Sequence, residues 1–215
     1  MIKKKIPYKK AMPAKKATTK KVVPAKKLKI MVSSTVYGSE SDLEQIYGLL
    51  KGYGYEVIMS KEGTVYVPIG SSPTQACLKA VEDCDLFLGI IFPRYGSGIT
   101  HKEFQKALEL DKPRWFITHH FVPFSREILK QFMYTSTNKR IKTFKLNRNG
   151  VMDSEKVIDM YNDAIQNDLD PKKRKSNWAQ PFFRTSEIMP FINTQFNDLE
   201  KRREELSEYN KTKKK

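Results

Sequence analysis

The chain has 215 residues, 40 Lys plus Arg against 24 Asp plus Glu, and a formal charge of +16. That length suits one domain with an appendage and excludes two large domains, while a 39% apolar content with 12 Phe, 10 Tyr and 2 Trp excludes a wholly disordered chain. Residues 1–27 hold 11 Lys and no acid, and KTKKK at 211–215 adds four more, leaving +1 for residues 28–210, so basicity points to nucleic acid only through the tails.

The first 27 residues are low in complexity, with PAKK at Pro13 to Lys16 and again at Pro24 to Lys27. Pro, Ala, Lys and Thr without apolar periodicity bury too little surface to offset ordering entropy, which predicts a flexible arm. Two readings stand for it: non-specific, salt-sensitive contact with nucleic acid or another acidic partner, or a solubilising leader with no dedicated partner. No run approaches 18 apolar residues, so no membrane span is expected, and the basic N-terminus lacks the apolar stretch of a secretory signal. Cys77 and Cys84 fit neither a metal motif nor a disulfide framework, read as small hydrophobes, and suit a reducing, cytoplasmic setting.

From Leu28 the pattern changes. LKIMV (Leu28 to Val32) reads as a buried strand, followed by a small polar turn through Gly38 and a helix from about Ser41. Ser41 and Glu44 have capping-box spacing, and Leu43, Ile46, Leu49 and Leu50 make its apolar stripe. YEVIM (Tyr55 to Met59) is the second strand. Ser72 and Pro73 open a helix through about Cys84, as N-cap and first helical residue. LFLGIIF (Leu86 to Phe92) is apolar almost throughout, the mark of a central parallel strand covered on both faces. A helix over Thr100 to Leu110, a strand over Arg114 to Thr118, a helix around Ser125 to Met133 and a fifth strand over Arg140 to Leu146 follow.

This alternation predicts an α/β fold, doubly wound around a mainly parallel five-stranded sheet, with a helical C-terminal extension. The expected limits are a basic tail at 1–27, the α/β domain at 28–150, the extension at 151–210 and a basic tail at 211–215. Trp178, Phe182, Phe183, Ile188, Phe191 and Phe196 in the extension pack on the domain or on a second protomer or partner protein. Ligands of such sheets bind beyond the carboxyl ends of the strands at a topological switch point, which singles out the loops Ser33 to Gly38, Ser60 to Ser72 and Pro93 to Thr100.

GxGxxG, GxxxxGK[ST], HExxH and GxSxG are all missing, so the commonest nucleotide, zinc-protease and serine-hydrolase readings lose their support. His101, His119 and His120 have no metal-ligand spacing with the cysteines, and neither a metal nor a resident cofactor is expected. The loops themselves carry chemistry. Ser33, Ser34 and Thr35 offer hydroxyls to a phosphate or ribose. Arg94 and Tyr95 can hold an anion or stack on a base, and Gly96 and Gly98 permit close backbone approach.

KIMVSSTVYGSESDLEQI, SPTQACLKAVEDCDLFLGIIFPRYGS, and ITHKEFQKAL followed by KPRWFI, in that order, resemble domain-of-unknown-function family 4062 from about Lys29 to Thr118. That family resembles the Toll/interleukin-receptor and nucleoside deoxyribosyltransferase groups, flavodoxin-like folds that include enzymes cleaving N-glycosidic bonds. The resemblance implies a nucleotide-type ligand, NAD or a nucleoside or nucleotide, in a defence or signalling setting. It also implies that Glu103, on the helix after the central strand, is the essential carboxylate, with Ser33 and Tyr37 bordering the pocket, Arg94 and Tyr95 at its mouth and Ser97 near the ribose. A carboxylate suits that chemistry because breaking a ribose N-glycosidic bond develops oxocarbenium charge. Glu103 also stands three residues after Thr100, the spacing of a capping box, so helix capping is the competing role. Asp85, at the start of the central strand, reads as structural, and Glu62 as solvated. The alternative to an enzyme is a non-catalytic nucleotide-sensing or protein-interaction module tethered by its lysine-rich tails.

Overall fold

The computed structural model describes residues 27–137, 139–147, 150–174 and 178–213. The arm expected at residues 1–27 lies outside the described residues except for Lys27, as do Lys214 and Lys215. Five strands occur among the described residues: β1 (Lys29–Ser34), β2 (Glu56–Ile58), β3 (Leu86–Ile91), β4 (Arg114–His119) and β5 (Ala179–Phe182). They alternate with helices α1 (Glu40–Gly52), α2 (Pro73–Asp83), α3 (Ile99–Glu109), α4 (Phe121–Met133) and α5 (Lys156–Ala164), and end in α6 (Thr185–Phe196) and α7 (Leu199–Thr212).

The strands form one sheet in the order β2-β1-β3-β4-β5, with every pairing parallel. This is the flavodoxin-like doubly wound order, and its switch point lies between β1 and β3. Side chains alternate across the sheet. Ile30, Val32, Leu86, Leu88 and Ile90 face Leu43, Ile46 and Leu50 of α1 and Ile188, Ile192 and Phe196 of α6. Met31, Phe87 and Ile91 face Val81 of α2, Phe104 and Ala107 of α3, and Val157 and Ile158 of α5. All six residues of β3 are buried, which explains its unbroken apolar run. Each such Leu, Ile or Phe contributes roughly 1.5–3 kcal/mol by leaving water.

Gly89 is the exception that β3 requires. A Cβ there would lie 2.6 Å from both Phe104 Cζ and Phe116 Cδ1, so the two rings fill the space that a side chain would take.

Local signals hold where they are strongest. Ser72 caps α2, accepting from the Gln75 amide while Gln75 Oε1 accepts from the Ser72 amide, and Pro73 is the first helical residue. At α1 the cap falls elsewhere: the helix starts at Glu40 behind Ser39, whose hydroxyl donates to the carbonyls of Thr35 and Val36, and Ser41 lies within the first turn. Asp85 accepts the Lys29 amide and so joins the starts of β1 and β3.

The fifth strand is a correction. Arg140 to Leu146 forms no sheet strand; Tyr134 and Arg140 make only an isolated bridge, and β4 takes Ala179–Phe182 as its outer neighbour instead. Lys142 and Lys145 would burden a covered strand, whereas β5 buries Ala179 and Phe182 and carries Pro181 at an edge that tolerates it. Residues 151–210, expected as a helical extension, thus supply both the edge strand and α5, which packs against α3 and α4. Phe182, Ile188, Ile192 and Phe196 are buried on this chain's own sheet, while Trp178 and Phe183 remain exposed.

Candidate functional site

At the carboxyl end of β1 the chain turns polar while Ser33 and Thr35 stay buried. Ser33 is buried, and its hydroxyl donates to Glu103 Oε2, a contact joining residues 70 apart in sequence. Glu103 is 3% exposed and also takes a hydrogen bond from the Cys77 thiol. Burial raises the Glu103 pKa, and the bonds from Ser33 and Cys77 oppose that rise without cancelling it. Burial, with Glu103 alongside, pushes the Cys77 thiol up to about 12, so it stays a neutral donor. The N-cap of α3 is Gly98, with φ of +77°, not Thr100, and the Glu103 carboxyl joins β1, α2 and α3 instead of closing a capping box.

Thr35 Oγ1 donates to the Arg94 carbonyl at 3.0 Å, tying the loop after β1 to the loop after β3 across the switch point. The Ser34 hydroxyl bonds locally to the Thr35 carbonyl. Beyond them, two cavities open at the strand ends. One, of about 350 Å³, is lined by Thr35, Tyr37, Arg94, Gly96 and Asp153. The other, of about 480 Å³, shares Tyr37 and Arg94 and adds Asp42, His119, Phe183 and Arg184. Tyr37 is 81% exposed, an uncommon position for a large ring, and stands at both cavities.

His119 packs its ring against Phe121, Phe182 and Phe183, and its Nδ1 accepts the Phe121 amide at 3.2 Å. Burial, then the nearby His120, lowers its pKa, so it is a neutral imidazole with Nε2 as the donor nitrogen. Aromatic rings, two arginines and a neutral imidazole suit a planar base carrying an anionic group.

The sequence-predicted residues therefore divide. Ser33 and Glu103 meet in the buried layer; Thr35, Tyr37, Arg94 and Gly96 line the cavities; Ser97 is exposed. Neither cavity is lined by Glu103. Tyr95 also lines neither: its hydroxyl meets His101 Nδ1 at 3.0 Å, and His101 Nε2 donates to Asp163 at 2.8 Å, a chain of bonds that joins α3 to α5. Burial works to raise the Asp163 pKa, but the bonds from His101 and Gln105 outweigh it and hold the carboxyl below its usual range.

Asp153 is the residue that sequence reasoning missed. Its Oδ1 accepts the Tyr95 amide at 2.8 Å and its Oδ2 accepts the Gly96 amide at 3.5 Å. Nothing local in the run MDSEK signals this contact, which spans 58 residues. Glu62 is half-buried and paired with Lys61. Among the described residues no group of three or more His, Cys, Asp or Glu could hold a metal, and no helix is long and apolar enough to cross a membrane.

No curated protein matches the chain. Among solved structures, it is similar to the TIR domains of the activated Roq1 resistosome that recognises the pathogen effector XopQ, at 12% identity over 47% of this chain and 63% of that one, with a TM-score of 0.40. It is similar to the 2-deoxyribosyltransferase of Bacillus psychrosaccharolyticus at 24% identity, over 42% of this chain and 72% of that one, with a TM-score of 0.33. The 2-desoxiribosyltransferase of Leishmania mexicana gives 15% identity, 64% and 97% coverage and a TM-score of 0.35. The family model described as Domain of unknown function (DUF4062) matches residues 29–175, which runs past β4 to include α4 and α5. As that match spans more than half of its length, the chain belongs to the DUF4062 family.

Proposed function

We propose that this chain binds a nucleotide-type small molecule in the cleft at the β1/β3 switch point and hydrolyses or transfers at its N-glycosidic bond, with Glu103 as the essential carboxylate. The observation that carries the reading is the Ser33–Glu103 pair: an acid side chain with a raised pKa, held at the carboxyl end of β1 in a flavodoxin-like sheet, two residues before Thr35, which lines a cavity with Arg94 and Tyr37. A carboxyl of this kind can stabilise or attack an oxocarbenium-like centre. Glu103 is buried, so the groups that cover it have to move on binding for the carboxyl to reach a ribose.

A second reading has its own support. The Glu103 carboxyl is already engaged by Ser33 and Cys77, as befits a residue that fastens three elements together, and the cleft then serves as a sensing site without catalysis. Incubation of the full chain with NAD and with nucleosides, beside folded Glu103→Gln, separates the two. Product from the wild type and at least about a hundredfold less from the variant is the result expected for a catalytic carboxylate. Equal product from both proteins would remove Glu103 from the chemistry, and binding without product from either would favour the sensing module.

A further inference from the structure

The loop after β3 already holds an anion, and that anion is part of the chain. The amides of Tyr95 and Gly96 point at the two oxygens of Asp153, at 2.8 and 3.5 Å. Gly96 has φ of +58°, the left-handed conformation that turns successive amides toward one side in an anion-binding nest. A Cβ at Gly96 would also come within 3.1 Å of Thr35 Cγ2, so a side chain there is disfavoured twice. Beside this nest lies the cavity of about 350 Å³, with Arg94 in its wall and Asp153 itself at its edge. The Arg94 guanidinium donates through Nη1 to the carbonyls of Pro93 and Val151, which anchors it at the rim with its other N–H groups to offer.

We infer that the Tyr95–Gly96 nest with Arg94 is a phosphate subsite, and that Asp153 occupies it as an internal stand-in that a phosphate-bearing ligand displaces. A carboxylate and a phosphate present the same feature to two backbone amides, a pair of anionic oxygens, but phosphate brings a third oxygen and more charge for Arg94. The two amides also give the acidic side chain of Asp153 its place at the edge of a cavity walled by Arg94. The inference deepens the nucleotide reading by assigning one part of the ligand to one loop, yet it stands on the nest and Arg94, and its deciding readout is the binding of an inorganic phosphate.

If Asp153 fills the nest nine-tenths of the time, removing it tightens apparent binding about tenfold, because only the open fraction competes for ligand. Calorimetric titration of the full chain and of Asp153→Asn and Asp153→Ala with sodium pyrophosphate, orthophosphate and uncharged adenosine at fixed ionic strength tests this. Asn keeps the shape and one acceptor without the charge, so it preserves the fold if Ala does not. The expected result is pyrophosphate binding about tenfold tighter in the variants, adenosine unchanged, and loss of the gain when Arg94→Ala is added. A folded Asp153→Asn protein with wild-type pyrophosphate affinity, or with none, overturns the inference and leaves Asp153 as a tether. A gain for both inorganic anions with no adenosine binding in any protein supports the subsite while counting against the nucleotide reading. A gain with pyrophosphate alone assigns the subsite to a diphosphate.

Discussion

Glu103→Gln is a test of the buried carboxyl that needs no substrate. In the wild type, burial raises the folded-state pKa of Glu103 above its unfolded value of ~4.3. The folded protein therefore binds the proton more tightly than the unfolded chain does. The penalty is absent below ~pH 4, grows as pH rises toward the folded pKa, and is constant above it. Within that window the wild type loses up to ~1.4 kcal/mol of stability per pH unit relative to Glu103→Gln, whose amide does not titrate. Subtracting the two urea-denaturation free energies at each pH from about 3 to 8 cancels every other titrating group common to both proteins. The difference should be flat in acid, then fall with the sign that disfavours the wild type. A difference independent of pH, or one that rises, would refute the claim that burial outweighs the bonds from Ser33 and Cys77. Glu103→Ala adds a separate cost of about 1–3 kcal/mol at all pH values, because the buried Ser33 hydroxyl loses its acceptor.

Gly89→Ala should destabilise by about 1–3 kcal/mol through overpacking against Phe104 and Phe116, and part of that loss should be recovered in the double variant with Phe104→Leu; additive urea midpoints would show that the rings do not mediate it. Ser72→Ala should cost ~1 kcal/mol in the same assay through loss of the α2 cap, and an unchanged midpoint would count against that capping box. Deleting residues 1–27 removes 11 Lys and should abolish retention on DNA-cellulose at low salt while leaving the circular dichroism of the core intact; unchanged retention would reject the tail as the nucleic-acid contact.

The architecture was legible because much of it follows from local physics. LFLGIIF is a strand that must be covered twice, and its position between two helical stripes makes it central before any contact is known. Ser72 and Pro73 mark a helix start by their own backbone chemistry. The loops Ser33 to Gly38 and Pro93 to Thr100 follow from parallel connectivity alone, since every strand then ends on the same side.

What the chain order alone left open are the pairings between distant residues. Arg140 to Leu146 reads as the fifth strand and residues 151–210 as a helical extension, but the register of β4 pairs it with Ala179–Phe182 from within that extension. Thr100 and Glu103 satisfy the spacing of a cap, but the conformation of Gly98 starts the helix earlier and frees the carboxyl to meet Ser33. Asp153 enters the nest of Tyr95 and Gly96 from 58 and 57 residues away. The composition and periodicity of this sequence determined a parallel sheet, its first four strands, the central one among them, and the end at which ligands of such sheets bind. The partner of Glu103 and the occupant of the anion nest were decided by tertiary structure, because a hydrogen bond between side chains on different crossovers depends on register and helix packing that no local pattern encodes.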